Sequence, residues 1–342
     1  MQALIQQLFD GPIDIIGDIH GEYGVLCALL TRLGYDANGN HKDGRRLIFV
    51  GDLVDRGIAS VSVLRLVRSL VNTGKAQCVL GNHEFNLIRK PNPTHRHGNH
   101  WFFGEIECLS KDTPQRVHFQ ELATESDRKW ILEWLSTLPF ALENDHLRVV
   151  HACWDQRSID RLRADQAKHN WPSLIEAYEF YKEETRRNLA PNLSEQKLEL
   201  IFQNEHPLKV LATGLEEHCD PPYYAGGKMR HMKRVTWWDS YQDHKKVVVG
   251  HYWRKRFAPK PNLMLIDKKD VPVLFRYDQP YHWLGNDQVM CIDYSIGQSF
   301  FEREHGVLDG ESGMALCAMR WPEEELWFHD GMKQQIIQSK SN

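Results

Sequence analysis

Short apolar runs and segments of helical period alternate over the first part of the chain. The runs cover 13–16, 46–50 and 76–80, contain many β-branched residues and lack a strict alternation of apolar and polar residues. This pattern is typical of strands that are buried on both faces. The apolar residues between the runs recur at helical spacing and are Tyr23, Leu26, Leu29, Leu30 and Leu33, followed by Val61, Leu64, Val67, Leu70 and Val71. The sequence therefore predicts a βαβαβ unit and an α/β sheet.

Further strand-like runs follow in the middle and at the end of the chain. The runs 147–150 and 246–250 are each followed at once by a histidine, His151 and His251. Three later apolar runs, at 289–294, 315–321 and 325–329, predict a final set of antiparallel strands.

Two long polar segments, 89–128 and 154–234, do not follow this pattern of short apolar strands. We expect a single domain over 1–342 in which both segments are helical cap insertions, because the second contains a helical pattern at 173–189. His95, His97 and His100 in the first segment fit no strong metal-ligand spacing, and they predict a solvated loop. A position near the substrate is the alternative for these three residues.

Composition and charge narrow the class of protein. Hydrophobic residues make up 42% of the 342 residues and charged residues 26%, which excludes a disordered or fibrous chain. The formal net charge of −4 gives no reason to expect bulk nucleic-acid or membrane binding. Seven scattered cysteines without a C-x-x-C pair, and an N-terminus unlike a signal peptide, predict a cytoplasmic protein.

The candidate metal-binding and catalytic residues follow directly after the predicted strands, where α/β sheets bind their ligands. The turns read GDIHG at 17–21, GDLVDRG at 51–57 and GNHE at 81–84. With the two later histidines they supply carboxylate, imidazole and amide ligands, which suit Mn, Fe or Zn. We expect Asp18 and His20, two apart on an extended segment, to bind one ion, and Asp52 to bridge it to a second ion held by Asn82, His151 and His251. Two such ions would clamp a phosphoryl group and generate hydroxide.

The three turns, at intervals of 34 and 30 residues, resemble the phosphoprotein phosphatase branch of the calcineurin-like metallophosphoesterases. The resemblance covers most of the chain and implies a four-layer α/β/β/α sandwich of two mixed sheets. It also implies the same metal ligands, with His83 as general acid, Asp55 as its orienting partner and Arg56 as a phosphate clamp. Glu84 is expected only to stabilise a helix start. The chain departs from the family pattern at Tyr252, where Thr is usual, and at 293–295, which read Asp-Tyr-Ser in place of Asp-Thr-Gly.

The expected function is phosphomonoester hydrolysis by metal-bound hydroxide, as in protein serine/threonine phosphatases, with two divalent ions, Mn foremost and Fe or Zn as alternatives. A phosphoprotein or a nucleotide is the expected partner. Within the branch, 13–90 resembles the diadenosine tetraphosphatases and the phosphatase module of polynucleotide kinase-phosphatase. This keeps open a nucleotide or RNA-end substrate, such as a dinucleoside polyphosphate or a 2′,3′-cyclic phosphate. A non-catalytic sensor of phosphoryl ligands is a further alternative.

Overall fold

Two mixed β-sheets form the centre of the protein in a computed structural model. It describes residues 2–89, 99–103, 120–225, 228–258, 272, 274–300 and 313–338. The five-stranded sheet has the order β1-β5-β6-β9-β10, with β1 Ile5–Gln7, β5 Ala141–Glu143, β6 Leu147–Val150, β9 Lys246–Val249 and β10 Val289–Cys291. The six-stranded sheet has the order β13-β12-β11-β2-β3-β4, with β2 Ile13–Ile16, β3 Arg46–Phe49, β4 Ala76–Cys78, β11 Cys317–Trp321, β12 Glu325–Phe328 and β13 Lys333–Gln335. A separate hairpin pairs β7 Glu216–Ala225 with β8 Lys228–Arg234.

The predicted βαβαβ unit is confirmed. β2, β3 and β4 are parallel neighbours, and Ile16 lies opposite Phe49, which lies opposite Cys78. The three strands therefore end level with one another, and the loops that follow them meet at one edge of the sheet. β6 and β9 are parallel neighbours in the other sheet and end in the loops that carry the two later histidines.

The two sheets pack face to face. One cluster of fully buried side chains joins Ile15 and Ile48 of the six-stranded sheet to Val149, Val248 and Met290 of the five-stranded sheet. The alternate residues of the same strands face the helices, as the two-residue side-chain period of a strand requires. The order helix, sheet, sheet, helix confirms the expected four-layer fold.

Helices cover the outer faces of both sheets. They are α1 Tyr23–Leu33, α2 Ser60–Asn72, α3 Asn82–Arg89, α4 His100–Phe103, α5 Glu125–Leu135, α6 Gln156–His169, α7 Leu174–Arg187, α8 Glu195–Asn204 and α9 Pro207–Thr213, with 3-10 turns at Trp237–Ser240 and Ile296–Gln298. Apolar residues of α1 and α2 share one buried cluster with the six-stranded sheet. Among the described residues, every helix is too short or too polar to cross a bilayer.

The segment 154–234 contributes to the core as well as to the surface. Ile159 of α6 and Leu211 of α9 are fully buried in the same cluster as Val150 and Val249 of the five-stranded sheet. The amide of Ala152 also donates to the carbonyl oxygen of Leu211, at 3.0 Å. The description of this segment and of 89–128 as cap insertions stays a prediction, and much of 89–128 lies outside the described residues.

The expectation of antiparallel strands near the C-terminus is wrong for one of them. β11 is antiparallel to β2 and β12, but β10 is parallel to β9 and completes the five-stranded sheet. A short apolar run indicates a strand and its burial, whereas strand direction depends on which sheet the chain enters.

Candidate metal centre

Backbone hydrogen bonds join the loops that follow β2 and β3. The amides of Ile19 and His20 both donate to the carbonyl oxygen of Asp52, at 3.0 and 2.9 Å. His20 and Asp52 have φ angles of 47° and 49°, in the left-handed region. The expected extended segment from Asp18 to His20 is therefore wrong, because the backbone turns at His20. This turn leaves Oδ2 of Asp18 4.0 Å from Nε2 of His20.

Asp52 lies between two groups of candidate ligand atoms. Its Oδ2 atom is 3.7 Å from Nε2 of His20 and 3.9 Å from Nε2 of His83, and its Oδ1 atom is 3.4 Å from Nε2 of His151. The ligand atoms lie within 4.8 Å of one another in each of two groups, one of His20, Asp52 and His83 and one of Asp52, His151 and His251. Asp52 belongs to both groups, which is the position that a bridging ligand needs.

Asn82 joins the second group. Its Oδ1 atom lies 3.1 Å from Nε2 of His151 and 2.7 Å from Nδ1 of His251. Nδ1 of His151 is 2.8 Å from the carbonyl oxygen of Val50, so Nδ1 carries the proton and donates it there. In the neutral imidazole, Nε2 of His151 therefore directs a lone pair towards the oxygens of Asn82 and Asp52. A cation between these atoms would satisfy all of them.

Two buried polar atoms beside this cluster have no hydrogen-bond partner among the described residues. They are Oδ1 of Asp18 and Nε2 of His251. The other carboxylate oxygen of Asp18, Oδ2, accepts a hydrogen bond from the amide of His251 at 3.0 Å. Unsatisfied buried polar atoms are costly, and the unpartnered carboxylate oxygen of Asp18 fits a site in which a metal ion completes the coordination. The donor set of carboxylates, imidazoles and one amide oxygen suits divalent ions.

The buried carboxylates of the site also favour a cation. Burial and repulsion by Asp293 and Asp52 raise the pKa of Asp18 well above its usual value. Burial alone would raise the pKa of Asp52 too, but attraction by His151 and His83 lowers it well below its usual value. Several carboxylates thus lie close together away from water, where a bound cation would stabilise their ionised forms.

His83 and Asp55 form a hydrogen-bonded pair beside the candidate metal ligands. Nδ1 of His83 lies 2.6 Å from Oδ2 of Asp55, so the imidazole donates to the carboxylate there. Burial would lower the pKa of His83, but Asp52 and Asp55 together raise it above its usual value. The remaining ring nitrogen, Nε2, faces the cluster around Asp52.

Asn99 and Trp101 hold Asp55 in place, a role that the sequence analysis did not predict. Nδ2 of Asn99 donates to both carboxylate oxygens of Asp55, at 3.0 and 3.1 Å, and Nε1 of Trp101 donates to Oδ1 at 2.6 Å. The neighbouring His100 is buried in α4, so the prediction of a solvated loop is wrong for it. α4 is fixed against the core by these contacts to Asp55. His95 and His97 lie outside the described residues.

Arg56 is joined by a second arginine that the sequence did not single out. Nη1 of Arg56 is 2.9 Å from Nε2 of His20, and its guanidinium carbon lies 5.2 Å from the ring centroid of Trp253. The guanidinium carbon of Arg234 lies 5.2 Å from the same centroid, and its Nη1 atom donates to the carbonyl oxygen of His251 at 2.8 Å. Both arginines therefore border the metal-ligand cluster.

Glu84 has a larger structural role than the expected helix start. The carboxylate is fully buried and accepts hydrogen bonds from four backbone amides, those of Gly81, Asp52, Leu53 and Val54, at 3.1, 2.8, 2.8 and 3.2 Å. Burial and the charge of Asp52 raise its pKa to about 7. Glu84 therefore fixes the turn that presents Asp52, a contact that could only be found from the folded backbone.

The family model for calcineurin-like phosphoesterases matches residues 11–276, and the chain belongs to this family. The expected resemblance to metallophosphoesterases is thereby confirmed. The chain is also similar to the asymmetrical bis(5'-nucleosyl)-tetraphosphatase PrpE of Bacillus subtilis strain 168, with 38% identity over 147 residues. This alignment covers 41% of the chain and 56% of that relative. A symmetrical bis(5'-nucleosyl)-tetraphosphatase of a Marinomonas species is 32% identical over 154 residues, covering 43% of the chain and 48% of the relative.

The chain thus spans about half the length of the curated relatives that it matches. Among solved structures, a putative diadenosine tetraphosphatase has a TM-score of 0.41 and 16% identity, with 99% of this chain and 100% of that chain covered. A cold-active protein-tyrosine phosphatase of a Shewanella species has a TM-score of 0.49 and 15% identity, with 98% and 83% covered.

Proposed function

We propose that the protein is a metal-dependent hydrolase of dinucleoside polyphosphates, which cleaves a phosphoanhydride bond with water. The observation that carries the proposal is the position of Asp52, whose two carboxylate oxygens face His20 on one side and His151 on the other, while His83 beside it is bonded to Asp55. The relatives named above are tetraphosphatases, and their names favour the nucleotide alternative over a serine/threonine phosphoprotein substrate.

In this proposal, Asp18, His20 and Asp52 hold one divalent ion, and Asp52, Asn82, His151 and His251 hold the second. The buried unpartnered Oδ1 atom of Asp18 supports this assignment. When bound, the ions supply Lewis-acid polarisation of the phosphoryl oxygens. Mn is the first candidate metal, because oxygen and imidazole ligands without thiolate suit it.

Arg56 and Arg234 bind the negative charge of the substrate. A planar guanidinium donates two parallel hydrogen bonds to a phosphoryl group, which holds the phosphorus in one orientation. Both guanidinium groups lie against the ring of Trp253, where the electron-rich face attracts a cation. Two like charges can therefore lie near each other in the absence of substrate.

His83 protonates the leaving oxygen. Asp55 accepts the Nδ1 hydrogen, so the proton that His83 gives up is carried on Nε2, which faces the cluster. Water forms a bond to one phosphorus as the bond from that phosphorus to the bridging oxygen breaks. The bridging oxygen takes the Nε2 proton, and the proton lost by the water passes to solvent. The presence of this pair argues against a sensor without turnover, because binding alone needs no proton donor.

We also propose a reducing compartment such as the cytoplasm. The described cysteines Cys27, Cys78, Cys153, Cys219, Cys291 and Cys317 are all free thiols.

A substrate panel tests the proposal. The protein is demetallated, reloaded with Mn²⁺ and incubated with diadenosine tetraphosphate, a phosphoserine peptide and a 2′,3′-cyclic nucleotide, with products separated by chromatography. We expect hydrolysis of the tetraphosphate to exceed that of the other two by at least roughly tenfold in kcat/KM, and to be lost in the demetallated protein. Preferred hydrolysis of the phosphopeptide, or undiminished turnover without metal, would overturn it.

A further inference from the structure

The strand β8 has one basic face that begins at the metal-ligand cluster. Side chains alternate along a strand, so Arg234, Met232 and Arg230 point to one side, and Lys233 points to the other. The pairing with β7 places Glu216 opposite Arg234 and, beyond a register shift between His218 and Tyr223, Tyr223 opposite Arg230. We call the face of β7 and β8 that carries Arg234, Arg230 and Tyr223 the basic hairpin face.

Arg234 connects this face to the candidate metal centre. Its contact with the carbonyl oxygen of His251 fixes the end of β8 beside a candidate ligand. Since Arg56 and Arg234 lie equally far from the ring of Trp253, their guanidinium carbons are no further apart than twice that distance. Arg56, Arg234 and Arg230 thus form a series of cations that leads from the candidate ligands along the hairpin.

The charges around Glu216 show that these cations share one region. Burial raises the pKa of Glu216 above its usual value, while Arg234, Lys209 and Arg230 attract its ionised form. Lys209 adds a third cation near Glu216, and Glu199 is the second acid of the region. The excess of positive charge suits a ligand with several negative charges in a row.

We infer that the basic hairpin face is a second anion site, which binds the phosphates of a polyphosphate chain beyond the scissile bond through Arg234 and Arg230. This inference rests on the proposed function and adds the part of the substrate that the hairpin recognises. The two arginines lie four positions apart on β8, a distance of about 13 Å along the strand. A single phosphate group at the metal centre does not reach Arg230, whereas a chain of phosphates extends towards it.

Inhibition constants test this inference without requiring a nucleotide substrate. The substrate is 4-nitrophenyl phosphate, and the inhibitors are orthophosphate and inorganic tripolyphosphate at the same free Mn²⁺ concentration. Both inhibition constants are measured for the wild type, Arg230→Ala and Lys233→Ala. Lys233→Ala is a matched control, because it removes one positive charge from the same strand on the opposite face, where Lys233 pairs with Glu217 at 3.0 Å. Chelation of Mn²⁺ by tripolyphosphate affects all three proteins equally.

We expect Arg230→Ala to raise the ratio of the tripolyphosphate to the orthophosphate inhibition constant about tenfold, the loss of one charge-assisted contact. Lys233→Ala should leave this ratio within about twofold of the wild type. An unchanged ratio in Arg230→Ala, or an equal rise in both variants, would overturn the inference. If the ratio rises as expected but the wild type does not cleave diadenosine tetraphosphate, the proposed function fails and the polyphosphate site stands.

Discussion

The imidazole of His83 and the carboxylate of Asp55 lie 2.6 Å apart, between Nδ1 and Oδ2. The carboxylate partner on Nδ1 distinguishes His83 from His151 and His20. Nδ1 of His151 and Nδ1 of His20 face backbone carbonyl oxygens, those of Val50 and Val54, at 2.8 and 3.0 Å. A carboxylate partner stabilises a protonated imidazole, whereas a carbonyl partner only fixes the tautomer of a neutral ligand.

The first prediction therefore compares His83→Ala with His151→Ala. We expect His83→Ala to keep two metal ions and to lose roughly 10²–10⁴-fold in kcat on phenyl phosphate, with a smaller loss on 4-nitrophenyl phosphate. The reason is that the 4-nitrophenolate ion leaves with less need of a proton. His151→Ala should lose metal and slow both substrates alike. Metal analysis and the two kcat values check this, and a metal-poor His83→Ala would show that His83 is a ligand.

A second prediction concerns Trp101, which we expect to act through Asp55. Trp101→Phe removes the hydrogen bond from Nε1 to Asp55 and keeps a buried ring. Both metal ions should remain, and kcat should fall by roughly tenfold on phenyl phosphate, less on 4-nitrophenyl phosphate, as a weaker form of the His83→Ala effect. The matched control is Trp130→Phe, which loses a similar bond, from Nε1 to Asp127 at 2.9 Å. Equal slowing of both substrates in Trp101→Phe would indicate a structural role only.

Gly250 gives a third prediction, because its Cα lies close to a candidate ligand. A Cβ atom at this position would come 2.0 Å from Oδ1 of Asp18. We expect Gly250→Ala to displace Asp18, to lower the metal content and to reduce kcat by at least roughly 100-fold. Gly24→Ala in α1 is the control, since no atom lies within 4 Å of the added Cβ. Its activity should be unchanged and its free energy of unfolding within about 1 kcal/mol of the wild type.

Full activity and full metal content in Gly250→Ala would mean that Asp18 is not a ligand or that its loop moves freely. Circular dichroism of both variants distinguishes a local effect from loss of the fold.

The sequence predicted the strands that carry the site, because each is a short apolar run followed at once by Gly-Asp, Gly-Asn or a histidine-containing loop. It did not predict β1, which contains a single apolar residue, or β7, which contains two prolines and several charges. α6 was also missed, since Ile159 and Leu162 are its only buried apolar residues. Edge strands and polar helices owe their structure to contacts with other elements, and a local pattern does not contain this information.

The candidate ligands were visible in the sequence because their types and their position after strands follow a chemical rule. Their surroundings were not visible. Trp101 is 46 residues from its partner Asp55, and no periodicity connects the two. Arg234 and Glu84 act through backbone atoms, a carbonyl oxygen in one case and four amides in the other, and nearly every residue of any sequence carries such atoms.

A fourth prediction concerns the pH dependence of stability. His206 is buried and donates from Nε2 to the carbonyl oxygen of Tyr178 at 3.1 Å, and burial lowers its pKa to about 3. The unfolded chain, with a pKa near 6.5, therefore takes up a proton that the folded protein does not, and stability falls as pH decreases from about 6.5 towards 3. Between pH 6.5 and 4.5, the free energy of unfolding of the wild type should fall by about 2 kcal/mol more than that of His206→Gln. Urea unfolding at both pH values checks this. An equal fall in the free energy of unfolding of the two proteins would contradict it.

The fifth and most direct test is the metal stoichiometry of the wild type and of Asp52→Asn, measured by elemental analysis after loading with Mn²⁺ and gel filtration. Because Asp52 belongs to both groups of ligand atoms, replacing its charged carboxylate with an amide weakens both sites at once. We predict two ions per chain in the wild type, less than one in Asp52→Asn, and a loss of tetraphosphate hydrolysis of at least roughly 100-fold. A wild type that binds a single ion, or an Asp52→Asn variant that keeps two ions and full activity, would contradict the dinuclear site.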